Sequence, residues 1–346
     1  MLPPLSDIRK PQNRKHPDGP LIEVKGLKTY FHSDGEIGRA VDGIDFSIEP
    51  ETTVGMVGES GCGKSVTALS IMGLIKSPPG KIEGGEIIYR SNDKIYDLTK
   101  LNPKGKIMRS IRGNEIAMIF QEPMTSLNPV HTIGFQIMES VILHQALSKK
   151  DARDKAIEML GAVGLPSPEQ HINEYPHQFS GGMRQRAMIA MALSCRPSLL
   201  IADEPTTALD ATIQAQVLKL INDLRKQYQA SILFITHDLG VIAHMASEVI
   251  IMYLGKIVEK ATVREIFHNP KHPYTMGLLS SIPSLASKKR ERLVPIKGIV
   301  PSPFDVPSGC RFAPRCSHAM PVCREQVPVL KEVSPGHPAA CFLYSG

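Results

Sequence analysis

The chain has 346 residues, of which 42% are hydrophobic and 21% charged, and a formal net charge of +6. Its length exceeds one compact module, so one large domain with an appendage, or two domains, is expected, and the composition excludes a disordered chain. No apolar run approaches the roughly 18 residues that span a bilayer. The first twenty residues also lack the apolar stretch of a secretory signal. The chain is therefore expected in the cytosol, with any membrane role arriving through a partner. The mild positive charge selects no ligand, and the absence of an aromatic RNP pattern or zinc-finger spacing argues against a nucleic-acid partner.

Residues 1–20 are polar, basic and rich in Pro, and read as a flexible lead-in. LIEV (21–24) and AVDGIDFSIE (40–49) alternate as half-buried antiparallel strands do. TVGMV (53–57) is a short buried strand that enters a Gly-rich turn and then the helical stretch SVTALSIMGLI (65–75). GEIIY (85–89) and EIAMIF (115–120) are further strands. Helical spacing dominates about 122–195, in GFQIMESVILHQAL, KDARDKAIEMLGAVGL and GGMRQRAMIAMALS, which reads as a helical insert. SLLIAD (198–203), SILFIT (231–236) and EVIIMY (248–253) alternate with helical stretches, as in a parallel α/β sheet. Beyond about Lys260 the chain becomes Pro-rich and then Cys-rich. The expected units are 1–20, 21–260 and a C-terminal extension over 261–346, with the last boundary between 255 and 290.

GESGCGKS (58–65) has the P-loop pattern, between a predicted strand and a predicted helix. The glycines let backbone N–H groups turn around phosphate oxygens, and the helix start adds its positive dipole end. The nucleotide-binding set is therefore Gly58, Glu59, Ser60, Gly61, Cys62, Gly63, Lys64, Ser65 and Val66. Lys64 is expected at the β- and γ-phosphates of ATP and Ser65 at Mg²⁺. Cys62 reads as a small filler whose alkylation should block nucleotide binding. At the end of SLLIAD, Asp203 can hold Mg²⁺ through water, and Glu204 can activate the attacking water.

Further motifs follow the order of one family. FSGGMRQR (179–186) resembles the ABC signature, Gln121 the Q-loop, TTALD (206–210) the D-loop and His237 in FITHD the switch histidine. With the P-loop and the Asp203 strand, these six ordered motifs resemble the ATP-hydrolysing subunits of ABC transporters, in the oligopeptide/dipeptide importer branch. Phe179 and Met183 depart from the usual LSGGQ but suit that branch. The resemblance implies a RecA-like P-loop core, an antiparallel β-subdomain and a helical signature subdomain. It implies that Ser180, Gly181, Gly182, Met183 and Asp210 serve a nucleotide shared with a second subunit. It also gives Gln121 a contact to Mg²⁺ and His237 one to the γ-phosphate. The catalytic set is thus Glu204, His237, Gln121 and Lys64, and the Mg²⁺ set is Ser65, Gln121 and Asp203. An aromatic platform for adenine comes from Tyr30 or Phe31; the family offset favours Phe31, and the other residue is expected in the core.

The implied partners are a second related ATPase, two transmembrane permease subunits and, through them, an extracytoplasmic solute-binding protein, all at the cytoplasmic face of the cell membrane. A soluble ABC ATPase of DNA repair or translation is the alternative. Such proteins carry a long coiled-coil insert or two P-loops, and this chain shows neither.

Cys310, Cys316, Cys323 and Cys341 are spaced C-x5-C-x6-C-x17-C. Four thiolates suit an iron–sulfur cluster or a structural Zn²⁺, while free thiols or disulfides remain open. The family resemblance favours [4Fe–4S]. A Pro-rich tail with few long apolar runs offers little core of its own, which is a reason for a staple.

Overall fold

The computed structural model of the protein describes residues 18–91, 94–121, 126–207, 209–281 and 295–344. The lead-in expected over 1–20 and the start of the helical insert at about residue 122 fall largely outside these residues.

Strands β1 (Ile22–Ser33), β2 (Glu36–Ile48), β3 (Thr53–Val57), β4 (Gly80–Ser91), β5 (Lys94–Asp97) and β6 (Ile116–Ile119) occupy the first third of the chain. They are followed by β7 (Leu199–Asp203), β8 (Ser231–Thr236), β9 (Glu248–Tyr253), β10 (Lys256–Thr262), β11 (Lys331–Ser334) and β12 (His337–Ala339). One antiparallel sheet has the order β2-β1-β4-β5, and a second sheet has the order β11-β12-β10-β9-β3-β8-β7-β6. β3 pairs in parallel with both β8 and β9, β7 pairs in parallel with β8, and β6 in parallel with β7. This centre reads as short apolar runs because both faces are covered: every residue of β3, β7 and β8 is buried. The α/β core with its antiparallel sheet is thus present as expected.

Helices Ile133–Gln145, Lys149–Ala162, Pro168–His171 and Gly181–Leu193 form the helical layer. Thr132, Ser148 and Ser180 cap three of them through side-chain oxygens, which explains where these helices start. The apolar faces of the three longer ones share one core with β7, β8 and the helix Ala211–Tyr228.

The tail is built onto the sheet: β12 adds beside β10 through Glu259 paired with Ala339, and the Ala340 N–H donates to the Val258 carbonyl at 2.8 Å. The join is polar. Glu259 is fully buried and accepts from the backbone N–H groups of Lys271 and His272, and one of its oxygens lies 2.7 Å from Nε2 of the buried His337. Sequences such as KEVS and HPA lack the β-branched alternation that marks a strand, so hydrophobic patterning could not reveal them.

Candidate functional site

The parallel strands β3, β8, β7 and β6 are neighbours and end at the same edge. Each delivers its following residues there: 58–65 after β3, His237 after β8, Asp203 and Glu204 at β7, and Gln121 just beyond β6. This is the edge of an open α/β sheet where ligands bind.

The turn after β3 is built around close approaches. A side chain at Gly58 would place its Cβ 2.2 Å from the Met252 carbonyl oxygen, and one at Gly63, where φ is 105°, would lie 2.3 Å from the Ala40 oxygen. Only glycine fits either place. Lys64 is buried, and its ammonium donates to the carbonyls of Gly58 (2.7 Å) and Glu59 (3.1 Å), which hold it inside the loop. Ser60 and Gly61 are exposed, while Ser65 and Val66 are half-buried in the first turn of the helix Lys64–Ile71. Cys62 is buried and its thiol pKa is raised by desolvation, so alkylation there is hindered more than the sequence suggested.

Asp203 is buried, and its Oδ1 has no hydrogen-bond partner. Its pKa is raised, first by burial and also by the charge of Glu204, against the lowering effects of the Ser65 hydroxyl and Lys64. An orphaned carboxylate oxygen beside a serine hydroxyl and a lysine is a donor set that fits Mg²⁺ with phosphate.

Beside it, three side chains converge on Oε2 of Glu204. The Gln121 amide donates at 3.3 Å, the Thr207 hydroxyl donates at 2.9 Å, and Nδ1 of His237 lies at 3.3 Å. Glu204 itself has φ 46°, a left-handed conformation that is strained for a residue with a side chain, and its N–H donates to the Ile235 carbonyl at 2.9 Å. The structure therefore brings together Gln121, Glu204 and His237 as read from sequence, and adds Thr207. The signal for Thr207 is its place within TTALD, three residues before Asp210. Asp210 caps the helix Ala211–Tyr228, accepting from the N–H groups of Thr212 and Ile213.

Ser180 and Gly181 are exposed at the start of the helix Gly181–Leu193, and Gly182 and Met183 are half-buried. Tyr30 and Phe31 are both half-buried, so neither is a core residue as expected for one of them. The Tyr30 hydroxyl donates to Asp42 at 2.5 Å, which ties that ring. The Phe31 ring lies over Gly80, where an added Cβ would meet it at 2.9 Å. Phe304 covers Gly38, the β2 partner of Phe31, and no sequence motif marked it.

All four tail cysteines are free thiols. Cys310 is pushed up to about 11, first by burial and then by the charges of Cys323 and Cys341. Burial followed by neighbouring cysteines also raises Cys316 and Cys341. The thiols thus lie within electrostatic reach of one another. A preformed metal site, as the family resemblance implies, is nevertheless not found: among the described residues, no three His, Cys, Asp or Glu side chains form a group able to hold a metal ion. Cys323 lies in the helix Pro321–Glu325, and its carbonyl accepts from the Cys310 N–H at 2.8 Å.

The ABC transporter family pattern matches residues 41–207, and the pattern of the oligopeptide/dipeptide transporter C-terminal region matches residues 258–323. The chain is 56% identical to the oligopeptide transport ATP-binding protein AppD of Bacillus subtilis, over 94% of this chain and 97% of that one. It is 46% identical to the dipeptide transport ATP-binding protein DppD of Escherichia coli, over 93% of this chain and 96% of that one. Among solved structures, the ATP-binding cassette MJ0796, a dimer in a post-hydrolysis state bound to ADP and Pi, superposes with a TM-score of 0.62 at 26% identity. That match covers 70% of this chain and 99% of that one.

Proposed function

Since the chain belongs to the ABC transporter family, in its oligopeptide/dipeptide branch, we propose that it is the ATP-hydrolysing subunit that drives uptake of di- or oligopeptides through partner permeases. It would act from the cytoplasmic face of the membrane; among the described residues no helix is long and apolar enough to cross one. The reaction is ATP + H2O → ADP + phosphate. A DNA-repair or translation role finds no support among the relatives.

The observation that carries the hydrolytic reading is the convergence of Gln121, Thr207 and His237 on one oxygen of Glu204, beside the unpartnered Asp203 oxygen. Loop 58–65 would turn its N–H groups to the phosphates, and Lys64 would exchange two carbonyls for β- and γ-phosphate oxygens. Ser65, Asp203 and Gln121 would hold Mg²⁺, which supplies charge neutralisation on the phosphates. Glu204, fixed by Thr207 and Gln121, would accept the proton of the attacking water, and His237 would contact the γ-phosphate. Phe31 is the proposed adenine platform, because Tyr30 is engaged by Asp42. The exposed Ser180 and Gly181 support a sandwich in which this chain completes the site of a second, related ATPase. Two permeases and an extracytoplasmic solute-binding protein would complete the importer. In Glu204→Gln, turnover should fall by about 100-fold or more while Mg-ATP binding persists. Retained turnover would remove Glu204 from this role.

The finer reading of the tail is that Cys310, Cys316, Cys323 and Cys341 take a [4Fe–4S] cluster, with Zn²⁺ as the alternative. The support is four free thiols within mutual electrostatic reach; loading would require them to close around the metal. Protein purified without oxygen should yield about four irons and four sulfides per chain. One zinc without sulfide would leave a structural staple, and no metal would eliminate both.

A further inference from the structure

The C-terminal extension grips the phosphate loop at one residue. Arg315 lies in the turn Ala313–Arg315, between Cys310 and Cys316, and is only 4% exposed. Its two terminal nitrogens donate to the two carboxylate oxygens of Glu59, at 2.6 and 3.0 Å. Its Nε donates to the Lys297 carbonyl at 3.0 Å, and its guanidinium carbon lies 5.8 Å from the centre of the Tyr253 ring. The backbone N–H of Glu59 donates to the hydroxyl of the fully buried Tyr274 at 2.8 Å. Its carbonyl accepts from Lys64. Every polar group of this loop residue is therefore held, and the extension holds two of the three.

We propose that Arg315 is a positioning residue for nucleotide binding: its forked pair with Glu59 sets the course of the loop, so that the extension shapes the phosphate cradle. The inference rests on the reading of 58–65 as the nucleotide loop. A forked arginine–carboxylate pair fixes direction as well as distance, which a lysine point charge does not. The arginine side chain is largely covered, so the pair differs from the solvent-screened surface pairs that contribute little. It is also not explained by charge alone, since Glu59 places a negative charge beside the site of a triphosphate. A pure charge account predicts that Glu59→Gln tightens ATP binding and that Arg315→Lys leaves it unchanged. Positioning predicts that both weaken it.

The test is Mg-ATP affinity and steady-state turnover of the full-length protein and of the variants Arg315→Lys, Glu59→Gln and their combination. We expect Kd and KM to rise about three- to tenfold in each single variant, with kcat nearly kept in Arg315→Lys and the double variant no worse than either single one. Glu59→Gln changes only a half-exposed loop side chain and keeps the test open if Arg315→Lys misfolds. Unchanged affinity in both single variants, or tighter binding in Glu59→Gln, overturns the inference. Wild-type protein that fails to bind Mg-ATP overturns the nucleotide reading, and the inference with it.

Discussion

The buried Asp203 shows how a residue can be poor for stability and right for chemistry. Its carboxyl has a folded-state pKa above the unfolded value, so the native state holds the proton more tightly than the unfolded chain does. Its contribution to stability is therefore greatest at low pH and falls as pH rises from the unfolded value through the raised one. Burial also leaves one of its oxygens without a partner. Asp203→Asn should accordingly raise the stability of nucleotide-free protein by about 1 kcal/mol, the scale of an unsatisfied buried oxygen, while abolishing Mg²⁺-dependent ATP binding. Thermal melts with and without Mg-ATP check both halves. A lower melting temperature without nucleotide would mean that Asp203 is stabilising where it stands. Cys62 makes the opposite point: the sequence put a thiol in the loop, and only the fold shows that Gly58, Met252 and Cys62 crowd so closely that little space is left for a reagent.

The elements of the cassette were legible because their signals are local. Apolar runs marked β3, β6, β7 and β8, helical spacing marked Gly181–Leu193, and capping residues stand at the helix starts. Their convergence was legible only through motif order, since no local pattern says that the residue after β6 meets the residue after β7. The strands β11 and β12 carry no such signal, because a buried Glu259–His337 contact and the single pair Glu259–Ala339 join them to β10. The same polar join makes the extension sensitive to acid. His272 caps the helix Pro273–Ser280, its Nδ1 accepting the Tyr274 N–H, and burial depresses its pKa to about 4. Because the unfolded chain takes up this proton near pH 6.5, the contribution of a neutral His272 is fully present above that value. It is lost as pH falls toward 4. Amide protection factors, with the intrinsic pH dependence of exchange removed, should therefore fall over residues 256–280 and 295–344 between pH 6.5 and 4 before those of the central strands. Uniform loss across the sheet would show that His272 is not the weak point.

At the scale of the whole molecule, the most central strand is made early and completed late. β3 is flanked by β8 and β9, which follow it by half of the chain or more. The Tyr274 and Arg315 contacts to Glu59 span 215 and 256 residues. During synthesis, then, the loop and its glycines emerge long before anything exists to brace them. The local bend can form at once, but its buried walls and its clasp arrive only near the end of translation. Such long-range closure is slow. The nucleotide site is thus among the last parts of the molecule to mature, and a chain stalled short of residue 315 would present a nearly complete sheet whose loop still lacks its brace.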